Sequence, residues 1–319
     1  MLVAITGANG FVGNYLSNYL ENKNIDVRRI QRKKSTNAFI IEDINSNNVD
    51  WSSALKDVDV LVHCAAKVHI FDDQNQDIIN SYYSINVNAT KNLAYQAALC
   101  GVKRFIFIST IKVFGEETEL NNPFSLNSDN NPQDHYAISK LKSEMALQEL
   151  TSNSDLELII IRPPLIYGPN VGANFLKLMS YVYKKYPIPF GGINNKRSIL
   201  YIGNLVDLIY RCINDKKAVG KTLLVSDLKP LSIAELTQKI AYSLNTKPLI
   251  ISIPNWVLNF VNNLLLRRVN LKKLTSSLEV DSSESNQSIN WIPPFSTDQG
   301  LLDTANWFKN KQINSQKFK

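Results

Sequence analysis

Along the first half of the chain, short apolar runs alternate with stretches whose apolar residues recur at helical spacing. Residues 2–6 (LVAIT), 59–66 (DVLVHCAA), 104–110 (RFIFIST) and 156–164 (LELIIIRPP) show no polar alternation, as expected of parallel strands buried on both faces. DVRRI at 26–30 reads as another strand. Between them NYLSNYLENK (14–23), INVNATKNLAYQAALCG (85–101) and AISKLKSEMALQELTSN (137–153) predict helices, the second closed by Gly101 as its C-terminal cap. This alternation predicts βαβ units and an α/β fold with a doubly wound parallel sheet. After about residue 166 the rhythm changes. IYGPNVGANF and YPIPFGGINNKRS are rich in turn residues, followed by a strand in KTLLVSD and helices in SIAELTQKIAYSL and PNWVLNFVNNLLLRR. The expected organisation is a larger domain over 1–165 and a smaller lobe over 166–319, with about 195–225 returning to the first domain.

Composition narrows the class without naming the chemistry. The chain has 319 residues, 44% hydrophobic and 20% charged, ordinary values for a globular protein. Its three cysteines, Cys64, Cys100 and Cys212, stand far apart, which suits buried thiols in a reducing compartment. The N-terminus lacks a basic region before an apolar run, and no stretch of about 18 apolar residues suits a membrane span. A cytoplasmic protein of enzyme size is expected. The net charge of +7 fits nucleic acid, an anionic membrane, an acidic small molecule or a solvated basic surface, and part of it sits in the polar tail KNKQINSQKFK. The helix beginning at Pro254 combines Trp256 and Phe260 with Arg267 and Arg268, and both a membrane-surface helix and an ordinary lobe helix fit it. The three histidines have no carboxylate partner at ligand spacing, so no metal site is expected.

Two features carry chemistry. Gly7, Gly10 and Gly13 form G-x-x-G-x-x-G in the first strand-to-helix turn, where backbone amides and a helix N-terminus receive a pyrophosphate. The second strand ends at Gln31, where an NAD-specific protein places an acid, and Arg32, Lys33 and Lys34 follow. That pattern points to NADPH, with a merely basic turn as the other reading. Tyr136 and Lys140 lie at i and i+4, one turn apart on one helix face. An ammonium there would favour the phenolate and lower the tyrosine pKa, and a surface Tyr beside a surface Lys fits the spacing equally.

Taken with TGANGFVG, the Glu-Asp-Ile at 42–44, HCAAKVH, NVNAT, STIKVFG, YAISK, RPPLIYGP and WIPPFSTDQGL, these features resemble the extended short-chain dehydrogenase/reductases of the nucleotide-sugar epimerase/dehydratase branch. The resemblance runs over nearly the whole chain and implies a Rossmann fold. It also implies a catalytic set of Thr110, Tyr136 and Lys140: the threonine polarises the substrate oxygen, the tyrosine exchanges its proton, and the lysine lowers the tyrosine pKa and holds the nicotinamide ribose. Gly7, Asn9, Gly10, Phe11, Val12, Gly13, Gln31, Arg32, Lys33, Asp43, Ile44, Ala65, Ala66, Asn86 and Pro163 are expected at the cofactor, together with Tyr136 and Lys140. Val68, His69, Thr110, Asn174 and Arg197 are expected at a UDP-sugar, with Lys273 approaching its diphosphate; for Arg197 a plain surface charge is the competing account.

The same likeness separates activities. Dehydratases of the branch place Asp-Glu after the threonine, whereas this chain has Ile111 and Lys112, and the decarboxylases usually carry Glu in this loop, so both activities are disfavoured. The basic turn after Gln31 leans toward NADPH-dependent reduction of a UDP-4-keto-6-deoxy-N-acetylhexosamine, giving UDP-N-acetylquinovosamine or UDP-N-acetylfucosamine for surface polysaccharide. The alternative is an NAD-dependent UDP-GlcNAc or UDP-glucose 4-epimerase. A non-catalytic dinucleotide- or RNA-binding relative is disfavoured, because the threonine, tyrosine and lysine are all present; no nucleic-acid partner is expected. By analogy with the family, the helices at 88–99 and 137–147 imply a homodimer.

Overall fold

The computed structural model describes residues 1–32, 38–41, 49–68, 75–253 and 275–317. Among these residues seven strands form one all-parallel sheet: β1 (Leu2–Thr6), β2 (Asp26–Gln31), β3 (Phe39–Ile40), β4 (Val60–His63), β5 (Arg104–Ile108), β6 (Glu157–Arg162) and, last to join, β10 (Thr222–Leu224). Their spatial order is β10-β6-β5-β4-β1-β2-β3, so the chain reverses direction across the sheet between β1 and β4. That is the switch point at which doubly wound sheets open a crevice for ligands. Parallel strands need crossovers, and these are α1 (Phe11–Asn22), α2 (Ser52–Leu55), α3 (Gln76–Tyr82), α4 (Ala89–Leu99) and α5 (His135–Thr151). Gly101 follows α4 with φ +77°, the left-handed geometry that closes a helix.

The uninterrupted apolar runs are buried on both faces. Val3, Ile5, Val62, Ile106 and Ile159 pack on one side with α1 and with α7 (Ile202–Asn214), while Ala4, Leu61, Phe105 and Ile160 pack on the other with Leu93, Ala97 and Leu147 of α4 and α5. Arg104, at the start of β5, donates from Nη1 to the carbonyls of Cys212 (2.6 Å) and Ile213 (2.7 Å), which gives the last carbonyls of α7 a buried cation.

The second half adds two short parallel pairs. One joins β7 (Leu165–Tyr167) to β9 (Ile199–Tyr201), and the other joins β8 (Pro187–Ile188) to β11 (Leu249–Ile250). Around them lie α6 (Ala173–Tyr183), α8 (Ile233–Ser243, opened by a Ser232/Glu235 capping box), α9 (Ser283–Ser288) and α10 (Thr297–Lys317). Buried Asp227 ties these parts together, accepting from Tyr167 Oη (2.9 Å), Tyr201 N (3.0 Å) and Asn204 Nδ2 (2.8 Å). No helix among the described residues is long and apolar enough to cross a membrane. The tryptophan-bearing segment at 254–268 lies outside the described residues, as does Lys273.

Candidate active site

A cavity of about 470 Å³ opens at the carboxyl ends of β1, β2 and β4. Gly7, Asn9 and Gly10 form its floor, Ile30, Gln31, Arg32, Ile41 and Trp51 one end, and Cys64, Ala65, Ala66 and Lys67 the opposite wall. Gly7 takes φ +67°, and a β-carbon there would come within 2.9 Å of the Ala65 backbone. At Gly13 a β-carbon would stand 2.3 Å from the Gly7 carbonyl oxygen, so the loop can lie flat on the first turn of α1 only with glycine at both places. The glycine floor lies at the N-terminus of α1, whose first-turn amides have no partner within the helix, and this fits the diphosphate of a dinucleotide.

The other wall is fixed from behind by Asn86, inside a π-helical turn (Tyr83–Asn88) wedged between α3 and α4. A π turn carries an extra residue and often marks a functional site. Here it aims buried Asn86 at the loop after β4: Oδ1 accepts from Lys67 N (2.8 Å) and Nδ2 donates to Lys67 O (3.0 Å). The same Nδ2 donates to Ser139 Oγ (2.9 Å), and Ser139 donates in turn to the Tyr136 carbonyl (2.7 Å). The cavity wall and the helix carrying Tyr136 and Lys140 thus share one buried network. His63, on β4, stands between Thr6 Oγ1 (2.7 Å) and Thr90 Oγ1 (2.9 Å), and burial pulls its pKa down to about 3, with Lys140 adding to the fall. It is a neutral structural histidine.

Thr110 begins a single 3₁₀ turn (Ile111–Val113) after β5, and its Oγ1 accepts from Lys112 N (3.3 Å). Pro163, buried beside it, accepts from Ile111 N (2.9 Å). Asp134 caps α5, accepting from Ala137 N (2.7 Å), so Tyr136 lies in the first turn and buried Lys140 in the second. The Lys140 ammonium sits 3.8 Å from the centre of the Phe107 ring. Burial brings its pKa down to about 7 although Glu144 and Cys64 favour its charge.

Tyr136 departs from the behaviour its spacing suggested. Burial raises its pKa above the ordinary tyrosine value, and Asp134 and Tyr82 push in the same direction. The expected lowering by Lys140 is not what this arrangement gives. The cost of desolvating a phenolate is the largest cause, and Lys140 is not among the groups that act on Tyr136.

A model of the NAD dependent epimerase/dehydratase family matches residues 3–225. The chain belongs to that family. A UDP-glucose 4-epimerase of Vibrio cholerae is 39% identical over 312 residues, covering 96% of this chain and 95% of the relative. An N-acetyl-alpha-D-glucosaminyl-diphospho-ditrans,octacis-undecaprenol 4-epimerase of Escherichia coli O157:H7 is 26% identical, over 96% and 94%. Among solved structures, the UDP-glucuronic acid 4-epimerase of Bacillus cereus in complex with NAD superposes with a TM-score of 0.77 at 21% identity, covering 97% of this chain and 99% of that one.

Of the residues expected at the cofactor of such a family member, Gly7, Asn9, Gly10, Gln31, Arg32, Ala65 and Ala66 all line the cavity. Phe11 and Val12 pack instead against the core under α1, and Gly13 serves the loop by its close approach. Lys33, Asp43, Ile44 and His69 lie outside the described residues. Of the sugar-nucleotide residues, Arg197 is held by Ser276 O (2.9 Å) beside Glu116, while Asn174 and Val68 stand exposed and are not part of the cavity lining. Trp51, Lys67, Ser81 and Ile85 join the lining unannounced by the sequence reading. Lys67 had a signal, since it directly follows the Ala65-Ala66 pair.

Proposed function

We propose that this family member is an NAD-dependent 4-epimerase of UDP-hexoses. The observation that carries the reading is the 39% identity, end to end, with a UDP-glucose 4-epimerase. The cavity fits the dinucleotide: Gly7, Asn9 and Gly10 would hold its diphosphate, Gln31 and Arg32 its adenosine ribose, and Ala65 and Ala66 its nicotinamide half. When bound, the nicotinamide supplies a reversible hydride acceptor. Thr110 holds the sugar's C4 oxygen, Tyr136 exchanges a proton with that oxygen, and Lys140 provides the nearby positive charge and the ribose contact. The oxidation half needs Tyr136 as phenolate to take the C4 hydroxyl proton, which burial opposes, and the phenol so formed returns that proton to the 4-keto oxygen in the reduction half. Lys112 and Ile111 leave the site without the acid and base that elimination of water would need. Residues 1–165 with about 195–225 bind the dinucleotide in this reading, and the rest of 166–319, with Arg197 and Asn174, binds the UDP-sugar. Two copies would pair through α4 and α5, which present Tyr95, Leu99 and Met145 to solvent.

One observation favours a second reading, the NADPH-dependent 4-ketoreductase: Gln31 and Arg32 line the cavity where an NAD-specific site carries an acid. Incubation of the protein with NAD and UDP-glucose or UDP-GlcNAc, followed by NMR, tests the first reading; the expected product is the C4 epimer at equilibrium. Consumption of NADPH with a UDP-4-keto-6-deoxy-N-acetylhexosamine, and no epimerisation, would overturn it in favour of the second.

A further inference from the structure

Lys112 occupies the second position after Thr110, where a carboxylate would serve elimination, and its side chain is fully engaged. Nζ lies 2.7 Å from Asp134 Oδ2 and 3.0 Å from Glu116 Oε1. Its backbone N–H is the donor that closes the turn onto Thr110 Oγ1. The other oxygen of Asp134 caps α5, whose first turn carries Tyr136. One lysine therefore touches both elements that must meet at the substrate's C4 oxygen.

We infer that Lys112 is a positioning residue of this site. Its ammonium fastens the Thr110 turn to the first turn of the Tyr136 helix and balances the Asp134 carboxylate that stands between them. The inference rests on the oxidation–reduction reading of Thr110 and Tyr136 given above.

The electrostatics agree with the geometry. Burial works against charge on both partners, yet Asp134 and Glu116 together hold the Lys112 pKa above its ordinary value, and Lys112 holds Asp134 below its own. A mostly enclosed, hydrogen-bonded pair of this kind loses far more when one partner is removed than a surface pair does. The groups acting on Tyr136 are Asp134 from its own cap and Tyr82 from α3, both raising its pKa. Lys140, one turn along α5, faces His63, Cys64 and Glu144. Glu116 also acts on Arg197, so the alternating charges run from Asp134 through Lys112 and Glu116 toward the arginine expected at the diphosphate.

Removing the ammonium leaves Asp134 uncompensated beside the phenol and the Thr110 turn unfastened. Lys112→Met is expected to lower kcat about 10-fold with KM for the UDP-sugar nearly unchanged, since a misplaced proton donor harms the transition state more than binding. The pH–rate limb that reports Tyr136 should move up by about half a unit to one unit, because a nearby negative charge opposes the phenolate. Lys112→Arg should recover most of kcat. Lys112→Met with Asp134→Asn, which keeps a competent helix cap, should return the limb toward its original place. Amide hydrogen exchange read by mass spectrometry is the arm that needs no substrate: exchange over 110–113 and 134–137 should quicken in Lys112→Met and not in Lys112→Arg. Unchanged exchange in Lys112→Met overturns the inference. So does a Lys112→Arg variant as impaired as Lys112→Met, because the ammonium would then be touching substrate itself. If the wild-type protein turns over none of the UDP-sugars, the proposed function falls, and the exchange measurement still decides the fastening.

Discussion

Burial moves the ionisation of two side chains to which the proposed function gives a part. Tyr136 is held neutral and Lys140 is poised at about 7, both chiefly by burial. Tyr136→Phe should preserve the fold and NAD binding while lowering turnover by on the order of 10²-fold, the usual cost of losing a general acid; stopped assays of C4 epimerisation would measure it. For Lys140 the charged form is lost as pH rises through about 7. Activity that depends on that charge should therefore fall on the alkaline side of a limb near 7, and Lys140→Arg, charged throughout, should lose that limb in a pH–kcat profile. The unfolded chain keeps Lys140 protonated to its ordinary value of 10.5, so between about 7 and 10.5 it binds a proton the folded protein does not, and stability gains from rising pH there. Cofactor choice is also a residue-scale matter. Gln31→Asp places an acceptor for a ribose 2′-OH and a repeller of a 2′-phosphate, so it should weaken NADP binding roughly 10- to 100-fold while NAD binding holds or tightens. Titration calorimetry with both dinucleotides would show it.

At the scale of elements, close approach governs the site. Gly13→Ala drives a β-carbon onto the Gly7 carbonyl at 2.3 Å, and backbone cannot give way as a side chain can. The expected cost is about 1–3 kcal/mol of stability, typical of overpacking, together with a clear loss of NAD affinity, both measurable by thermal unfolding with and without cofactor. The glycine loop was legible in the sequence because its residue type and its place after an apolar run state the backbone requirement directly. The strands were legible for the same reason: a parallel strand buried on both faces admits no polar alternation, and residues 2–6, 104–108 and 157–162 show none. The π turn at 83–88 was not legible. Its one-residue excess leaves the apolar spacing of INVNATKNL readable as ordinary helix, and only the folded backbone, with Asn86 turned onto Lys67, reveals it. Nor was the Lys112–Asp134 pair, whose partners are brought together by the packing of α5 beside the 3₁₀ turn. The raised pKa of Tyr136 is likewise a property of its surroundings; spacing to Lys140 carries no information on how much water the phenol has lost.

Over the whole molecule, the apparent border near residue 166 does not divide the core. Val3 and Ile5 of the first strand share one apolar cluster with Phe175, Leu205, Leu223 and Phe308, and Arg104 secures α7 from the opposite half of the sequence. A fragment ending at residue 165 is therefore expected to aggregate, because it lacks both α7 and the strand that covers the edge of β6. Size-exclusion chromatography checks this, and a monodisperse, NAD-binding fragment would contradict it. The position of β10 also bears on how the protein is made. Every described residue lining the dinucleotide cavity falls between Thr6 and Ala89, whereas the sheet gains its last strand only at Thr222–Leu224. At ordinary rates of synthesis the ribosome needs on the order of ten seconds to pass from one to the other. From the completion of β6 until β10 is added, the nascent chain carries that pocket next to a bare sheet edge, an aggregation-prone state that a chaperone would shield.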